Sequence, residues 1–274
     1  MIQNFLESIK THKKVSRGGR PTEYSDALIQ VLATIKAYFK IPYRMLEGFA
    51  KSIMGFFLKG VKLPTYSLIC KRLAKLQIEL PQFPRKGGVV VILDASGMKA
   101  VGEGEWKVKV HGRGRPRKWV KIHIALDEES QEVIGEVTTT SRVGDASKTE
   151  ELLKRIKNRV KCVKADGGYD KKSAREAIAK RKVGSLIPPP KNGRYKGDGS
   201  ERDKALLEIR GLGGDKHGRS IWGKLTGYSR RVLVEAFFSR SKRLFGDNFY
   251  SKTLERQRVE SRLRCVELNQ MLAI

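Results

Sequence analysis

Cysteine is almost missing from this chain. Its 274 residues hold three, Cys70, Cys162 and Cys265, widely spaced and without a C-x-x-C pair. That spacing suggests neither a disulfide framework nor a cysteine-held zinc. Histidine is as sparse, with His12, His111, His123 and His217 scattered along the chain, so a transition-metal centre of thiolate or imidazole ligands is not expected. If a metal binds, carboxylates hold it. Long apolar runs are lacking too: none approaches the ~20 residues of a membrane-spanning helix, and the first residues carry no apolar segment of a secretory signal. The expectation is a cytoplasmic, nucleoid-associated protein with no membrane partner. No internal repeat is present, and the one biased stretch, 188–200, is rich in Pro, Gly and Lys and reads as a flexible loop.

Acidic residues are the remaining deficit. Against 57 Lys and Arg stand 29 Asp and Glu, a formal charge of +28. A surface this basic attracts a polyanion, and nucleic acid is the default partner, held mainly through phosphates and released by salt. With 39% hydrophobic residues, a chain of this length can bury a substantial core as one domain or two.

The hydrophobic pattern changes character near residue 84. Before it the period is helical. Ser25 and Asp26 can cap a helix carrying Leu28, Leu32 and Ile35, which stops at Ile41-Pro42. A second helix starts near Tyr43, and a third follows Pro64 with Ile69 and Leu73 interleaved with Lys71, Arg72 and Lys75. Three short helices with a basic last one resemble a helix-turn-helix module, and equally describe a plain helical bundle with solvated charges. Pro81, Pro84 and Gly87-Gly88 mark a linker.

After Gly88 a sheet begins. Val89–Leu93 is continuously apolar, as a central strand is, and Trp106–Val110, Val120–Leu126 and Glu132–Thr139 follow as a meander, with the basic loop 112–118 inside it. A helix from Asp145, a strand ending at Asp166, a helix over Ser173–Lys182 and the apolar pair Leu186-Ile187 complete the series. Antiparallel strands followed by alternating helix and strand predict an α/β, ribonuclease-H-like domain with a mixed sheet, preceded by an all-α helix-turn-helix-like domain. The expected domains are 1–84 and 85–274.

Three acidic residues end or occupy three such elements: Asp94 after the first strand, Asp166 after a later one, and Glu235 in a long helical pattern. Rigidly held carboxylates of this kind suit two hard divalent cations set against a phosphodiester. Tyr228, Arg231, Glu235 and Lys242 fall on one helical stripe at 100° per residue, so a carboxylate could hold metal while the cations bind phosphates. An ordinary salt-bridged helix face has the same spacing. Arg113, Arg115 and Arg117 form either a minor-groove hook or a solvated hairpin. The C-terminal helix, with Arg256, Arg258, Arg262 and Arg264, either meets DNA or only caps the core. Trp222 either stacks on an unpaired base or closes the core, Glu103, Glu105 and Asp127 read as surface carboxylates of the meander, and Asp170 as either a spare metal ligand or a helix cap.

Tyr228-(2)-Arg231-(3)-Glu235-(6)-Lys242 matches the Y-(2)-R-(3)-E-(6)-K signature of DDE transposases from prokaryotic insertion sequences. The blocks around Gly19–Asp26, Leu93–Lys99, Gly102–Trp106, Ala165–Asp170 and Ile187–Pro189 resemble those of the insertion-sequence five family, with Ala95 where that family more often has serine. The resemblance spans nearly the whole chain. It implies a catalytic and metal-binding triad of Asp94, Asp166 and Glu235, and two Mg2+ ions for which Mn2+ can substitute. It also implies a homodimer on double-stranded DNA, engaging terminal inverted repeats and target DNA, that cuts element ends and joins the 3′-hydroxyl to target. The helical domain is then the end-binding one, and Tyr228, Arg231, Lys242, Arg113, Arg115, Arg117, Lys71 and Arg72 the candidate DNA contacts. The alternatives are a ribonuclease-H-like metal nuclease without strand transfer and an inactive, domesticated DNA-binding protein.

Overall fold

Ser25 caps the first helix through its side chain, accepting from the Leu28 amide at 3.2 Å, and α1 (Asp26–Phe39) runs until Lys40 turns left-handed at φ 54° ahead of Pro42. The computed structural model describes residues 23–54, 62–100 and 118–272 and divides into two units, Met1–Ile78 and Glu79–Ile274. In the first unit α2 (Tyr43–Phe49) continues as a π-helical turn, Ala50–Met54, and α3 (Tyr66–Leu73) follows Thr65. Leu28, Leu32, Leu46, Ala50 and Ile69 meet in one buried cluster, which is what the helical period of those residues required.

The second unit is built on a five-stranded sheet of order β3-β2-β1-β4-β5. The strands are β1 (Val89–Lys99), β2 (Trp119–Asp127), β3 (Val133–Thr140), β4 (Val160–Ala165) and β5 (Gly184–Leu186). The first three are antiparallel neighbours, while β1, β4 and β5 run parallel, so the sheet is mixed and of ribonuclease-H-like order. The strand expected over Trp106–Val110 and the Arg113, Arg115 and Arg117 loop lie outside the described residues, as do Glu103 and Glu105. Gly88, at φ +86°, is required at the entry to β1: a Cβ there would sit 2.6 Å from the Arg159 carbonyl oxygen that receives the Val89 amide.

Alternation along the strands sorts their side chains. Val89, Val91 and Leu93 of β1 join Val163 and Ala165 of β4 in the main core, with Leu152 and Leu153 of α4 (Thr149–Lys154) and Ala174 and Ile178 of α5 (Lys172–Lys180). Asp94 and Lys164, of opposite parity, therefore look to the other face.

Two helices between β5 and the Glu235 helix had no forecast in the sequence pattern: α6 (Glu201–Gly211) and α7 (Lys216–Leu225), capped by the side chains of Ser200 and Asp215. They correct one expectation and decide between the two alternatives for Trp222. The stretch 188–200 is tied down rather than loose. Asp203, 1% exposed, accepts from the amides of Lys196, Gly197 and Asp198, while Arg202, Arg210 and Arg219 donate to the carbonyls of Arg194, Gly193 and Pro189. Trp222, on α7, closes the core: it is buried with Ala205 and Ile209 and donates to Glu208 at 2.7 Å. The last helices are α8 (Val232–Phe245) and α9 (Leu254–Leu272). On α9 Arg258, Arg262 and Arg264 hydrogen-bond within the fold, although Arg258 stays exposed. Arg258 donates to the Thr138 carbonyl, Arg262 to buried Glu136, and Arg264, itself buried, to the Gly246 and Asn248 carbonyls and Glu260 between the Phe245 and Phe249 rings. Asp127 is also no surface carboxylate. It is buried at the β2–β3 turn and accepts from the Ser130 hydroxyl at 2.9 Å.

His123 of β2 is fully enclosed and its Nε2 shares a 2.8 Å hydrogen bond with the Thr139 hydroxyl. Burial chiefly, with Lys121 and Lys148 adding to it against Asp145 and Glu151, lowers its pKa from 6.5 to about 4. Below pH 6.5 the unfolded chain therefore binds a proton the folded chain refuses, and stability falls as pH drops from 6.5 towards 4. The loss is on the order of 3 kcal/mol, since each pKa unit is worth ~1.36 kcal/mol. In His123→Gln, which keeps a hydrogen-bonding amide, melting curves at pH 7 and pH 4.5 should lie closer together than in the parent; an unchanged gap would place the acid sensitivity elsewhere.

Candidate active site

Strand register sets the first two carboxylates. Leu93 pairs with Ala165 across the parallel β1–β4 ladder, so Asp94 and Asp166 are the next residues along adjacent strands, which lie ~4.8 Å apart. Both stand at the carboxyl end of the parallel pair, the end at which open α/β sheets bind ligands. Asp166 begins the short 3-10 turn Gly167–Tyr169 and its Oδ1 accepts from the Gly168 amide at 2.9 Å, which fixes its rotamer. Asp94 Oδ1 accepts from the Ala95 amide at 2.8 Å, leaving Oδ2 to face α8.

The third carboxylate arrives from α8. The signature does not lie on one continuous α-helix: Tyr228–Arg231 form a 3-10 turn, and α8 starts at Val232. Its buried stripe is Val234, Phe237, Phe238, Ser241 and Phe245, while Val232 and Ala236 are exposed. Glu235 and Lys242 project outward. Arg231 joins the strand to the helix, with Nη1 3.5 Å from Asp94 Oδ2 and Nη2 2.6 Å from Glu235 Oε1. One guanidinium thus spans the gap between two carboxylates that lie 141 residues apart in the chain (235 − 94). Burial opposes the Arg231 cation, yet Tyr228, Glu235 and Asp94 outweigh it and raise its pKa.

Asp94 is the electrostatically costly member. Burial first, with Asp166 and Glu235 adding to it, raises its pKa from 3.8 even though the Ala95 amide and Arg231 favour the anion. Above 3.8 the folded chain thus holds a proton more readily than the unfolded one, so stability is lost as pH rises through the raised value. Asp94→Asn should therefore melt higher than the parent at pH 7 without divalent ions, and no differently near pH 3; equal melting points at pH 7 would refute the imbalance.

Among the described residues, no three Asp, Glu, His or Cys side chains stand close enough to hold a metal ion as they are. The donor set nonetheless suits a hard cation. It is all oxygen, it carries a half-buried carboxylate that its surroundings disfavour as an anion, and two of its members already share one cation, the Arg231 guanidinium.

The remaining sequence candidates separate. Tyr228 packs its ring 5.3 Å from Trp222 and lines a groove of about 240 Å³ with Arg219, Gly223, Val232 and Glu235. Lys71 is exposed on α3, whereas Arg72 is turned back within its own unit, paired with Asp26 at 2.6 Å and donating to the Tyr24 carbonyl. Asp170 lies outside the carboxylate group, enclosed between Arg175 and Arg202. Tyr169, just after Asp166, is buried in the main core, and burial followed by Asp94, Asp145 and Asp166 pushes its phenol far above the usual range.

Sequence reasoning missed the anchor of the signature turn. Lys164, on β4 two residues before Asp166, is buried and donates at 2.7 Å to the Gly227 carbonyl, immediately ahead of Tyr228. It is paired with Glu128, whose other oxygen holds Arg230 at 2.7 Å. A lysine inside the apolar strand 160–165 was the available signal, since an ammonium at a buried position must find a partner.

Residues 85–269 match the model of a transposase DDE domain family, and residues 1–103 match a second model of the same description. The chain belongs to the DDE transposases. Solved structures similar to this transposase include a Mos1 transposase paired-end complex with the left transposon end, 14% identical over 98% of this chain and 85% of that one, TM-score 0.25. A Mos1 mariner paired-end complex with Mn is 13% identical over 97% and 86%, TM-score 0.25, and a Drosophila P element transposase strand transfer complex 9% identical over 100% and 70%, TM-score 0.30. None of the described helices of this DDE transposase is long and apolar enough to cross a membrane.

Proposed function

We propose that this DDE transposase is of the prokaryotic insertion-sequence five type, cutting DNA at element ends and joining the freed 3′-hydroxyl to target DNA. The observation that best supports this reading is the Arg231 guanidinium held between Asp94 and Glu235, with Asp166 next to Asp94 in the register of the parallel ladder. These three would hold two Mg2+ ions, with Mn2+ as a substitute; such ions supply Lewis acidity at the phosphoryl oxygens and an activated water or 3′-hydroxyl. The chain's own contribution is position and charge. Asp166, locked by the Gly168 amide, and Asp94, locked by the Ala95 amide, present fixed oxygens at the end of a buried sheet. Arg231 and Lys242 offer cations to phosphates along α8, and Tyr228 borders the groove beside Glu235. Arg113, Arg115, Arg117, Lys71 and Arg72 are further proposed DNA contacts, with the helical domain 1–84 binding the terminal inverted repeats. Pairing two ends calls for a homodimer on DNA, in the nucleoid.

Strand transfer separates this reading from a nuclease. Supplied with pre-cut inverted-repeat ends, supercoiled target and Mg2+, the protein should yield joined products that chelation abolishes. Nicking of the target with no joined product would leave a metal nuclease, and DNA binding with neither would leave an inactive relative.

A further inference from the structure

The parallel strands have a second end, and it is charged in the opposite sense. Two successive helix-to-strand turns, after α4 and after α5, enclose a cavity of about 490 Å³ lined by Asn158, Arg159, Lys161, Arg181 and Lys182 together with Val160 and Val183. It contains four cationic side chains and no acid, and none of the four has a carboxylate partner among the described residues. The acids that flank these turns in sequence are engaged elsewhere: Glu151 with Lys148 and Arg155 at 2.9 and 3.0 Å, Glu176 with Lys172 at 3.8 Å, and Asp166 with the Gly168 amide at the other end of β4.

The walls are held in place. Gln82 donates to the Ile134 and Arg155 carbonyls at 2.9 and 2.8 Å and accepts from the Lys157 amide at 2.8 Å. Asn158 donates to the Phe83 carbonyl at 3.0 Å and accepts from the Arg85 amide at 3.2 Å, and the Arg159 carbonyl receives the Val89 amide at 2.8 Å. The turn bearing Arg159 is thus a hydrogen-bonded corner rather than a loose end. Like charges gathered on such a corner repel, and a polyanion relieves the repulsion while gaining charge-assisted hydrogen bonds to guanidinium and ammonium groups.

We infer that this cavity is a second DNA-backbone site, binding the phosphates of a duplex segment other than the one at the carboxylates. β4 separates the two places: Val160 borders the cavity, Asp166 follows Ala165, and six residues at ~3.3 Å each span roughly 20 Å. That is about the width of a duplex, so a straight segment lying across Asp94 and Asp166 does not also enter the cavity. The ligand is either a second duplex or a bent continuation of the first. Arg159, Lys161 and Arg181 bind the phosphates, and contacts to phosphates carry no information about base sequence.

The test is Arg159→Gln/Lys161→Gln/Arg181→Gln in the full chain, with duplex DNA binding measured from 50 to 200 mM salt. The slope of log affinity against log salt should shrink by about 2 to 3, at ~0.9 for each phosphate no longer neutralised. An unchanged slope in a variant that melts like the parent overturns the inference, and so does an equal fall when the exposed Lys204, Lys224 and Lys252 are changed to Gln instead. A local readout runs beside it. Duplex should shield Lys161 and Lys182 from amine acetylation in the parent and in Asp94→Ala alike, which keeps this test independent of the catalytic assignment. Equal shielding by inorganic phosphate at matched phosphate concentration, or shielding by polyglutamate and not by duplex, would assign the cavity to a small anion or to an acidic protein and overturn the DNA reading.

Discussion

Replacing Asp94, Asp166 or Glu235 by alanine is expected to lower Mg2+-dependent cleavage of end DNA by about 10³-fold or more, because groups that act as one unit each cost nearly the full effect when removed. DNA binding should be retained or improve, since every one of these changes deletes a negative charge from a surface facing phosphates. The protein should also remain folded. Asp94 is a carboxylate that the fold disfavours as an anion, and the Glu235 side chain is more than half exposed. Cleavage within about tenfold of the parent in any of the three, at equal protein and DNA concentration, would remove that residue from the proposed site. Arg231→Lys is an instructive companion, because an ammonium cannot bridge Asp94 and Glu235 at once as the guanidinium fork does.

Lys164→Met should have the next largest effect, and on both stability and activity. The Lys164 ammonium is buried against Glu128 and the Gly227 carbonyl, and removing one partner of a buried pair typically costs about 3–5 kcal/mol. Arg230, still on Glu128, offsets part of that. The activity loss comes through position. Gly227, left-handed at φ 70°, is the hinge from which Tyr228, Arg231 and α8 depart, and without its anchor the turn bearing Arg231 and Glu235 can drift from Asp94. A misplacement of about 1 Å can cost ~10²-fold in rate. Thermal melting should drop by several degrees and single-turnover cleavage should slow while DNA affinity holds. Cleavage at the parent rate in a destabilised Lys164→Met protein would make Lys164 a structural residue and nothing more.

The sequence pattern was most legible where one element decides its own form. Ser25 caps the helix it was expected to cap, Val89–Leu93 had to be a central strand, and Leu28, Leu32, Leu46 and Ile69 had to share a core. The carboxylates were visible because each ends or occupies a periodic element within a family signature. What was not legible depends on distant partners. Helix α6 shows no clear apolar stripe, and side chains of α6 and α7 (Arg202, Asp203, Arg210 and Arg219) tie down a Pro- and Gly-rich segment that composition alone reads as loose. The α9 arginines fit a DNA-facing row and a core cap equally well in sequence; in the fold Thr138, Glu136 and Glu260 receive Arg258, Arg262 and Arg264.

Local chemistry alone therefore determined the strand and helix types, the scarcity of soft metal ligands, the net charge and the identity of the acidic residues. The tertiary structure decided which of them meet. Register on the parallel ladder set Asp94 beside Asp166, Lys164 fastened the signature turn to the sheet, and Arg231 bridged strand to helix. The physical reason is that a side chain's partner across the sheet depends on pairing between segments far apart in the chain, and a shift of one residue would have turned Asp94 into the apolar core.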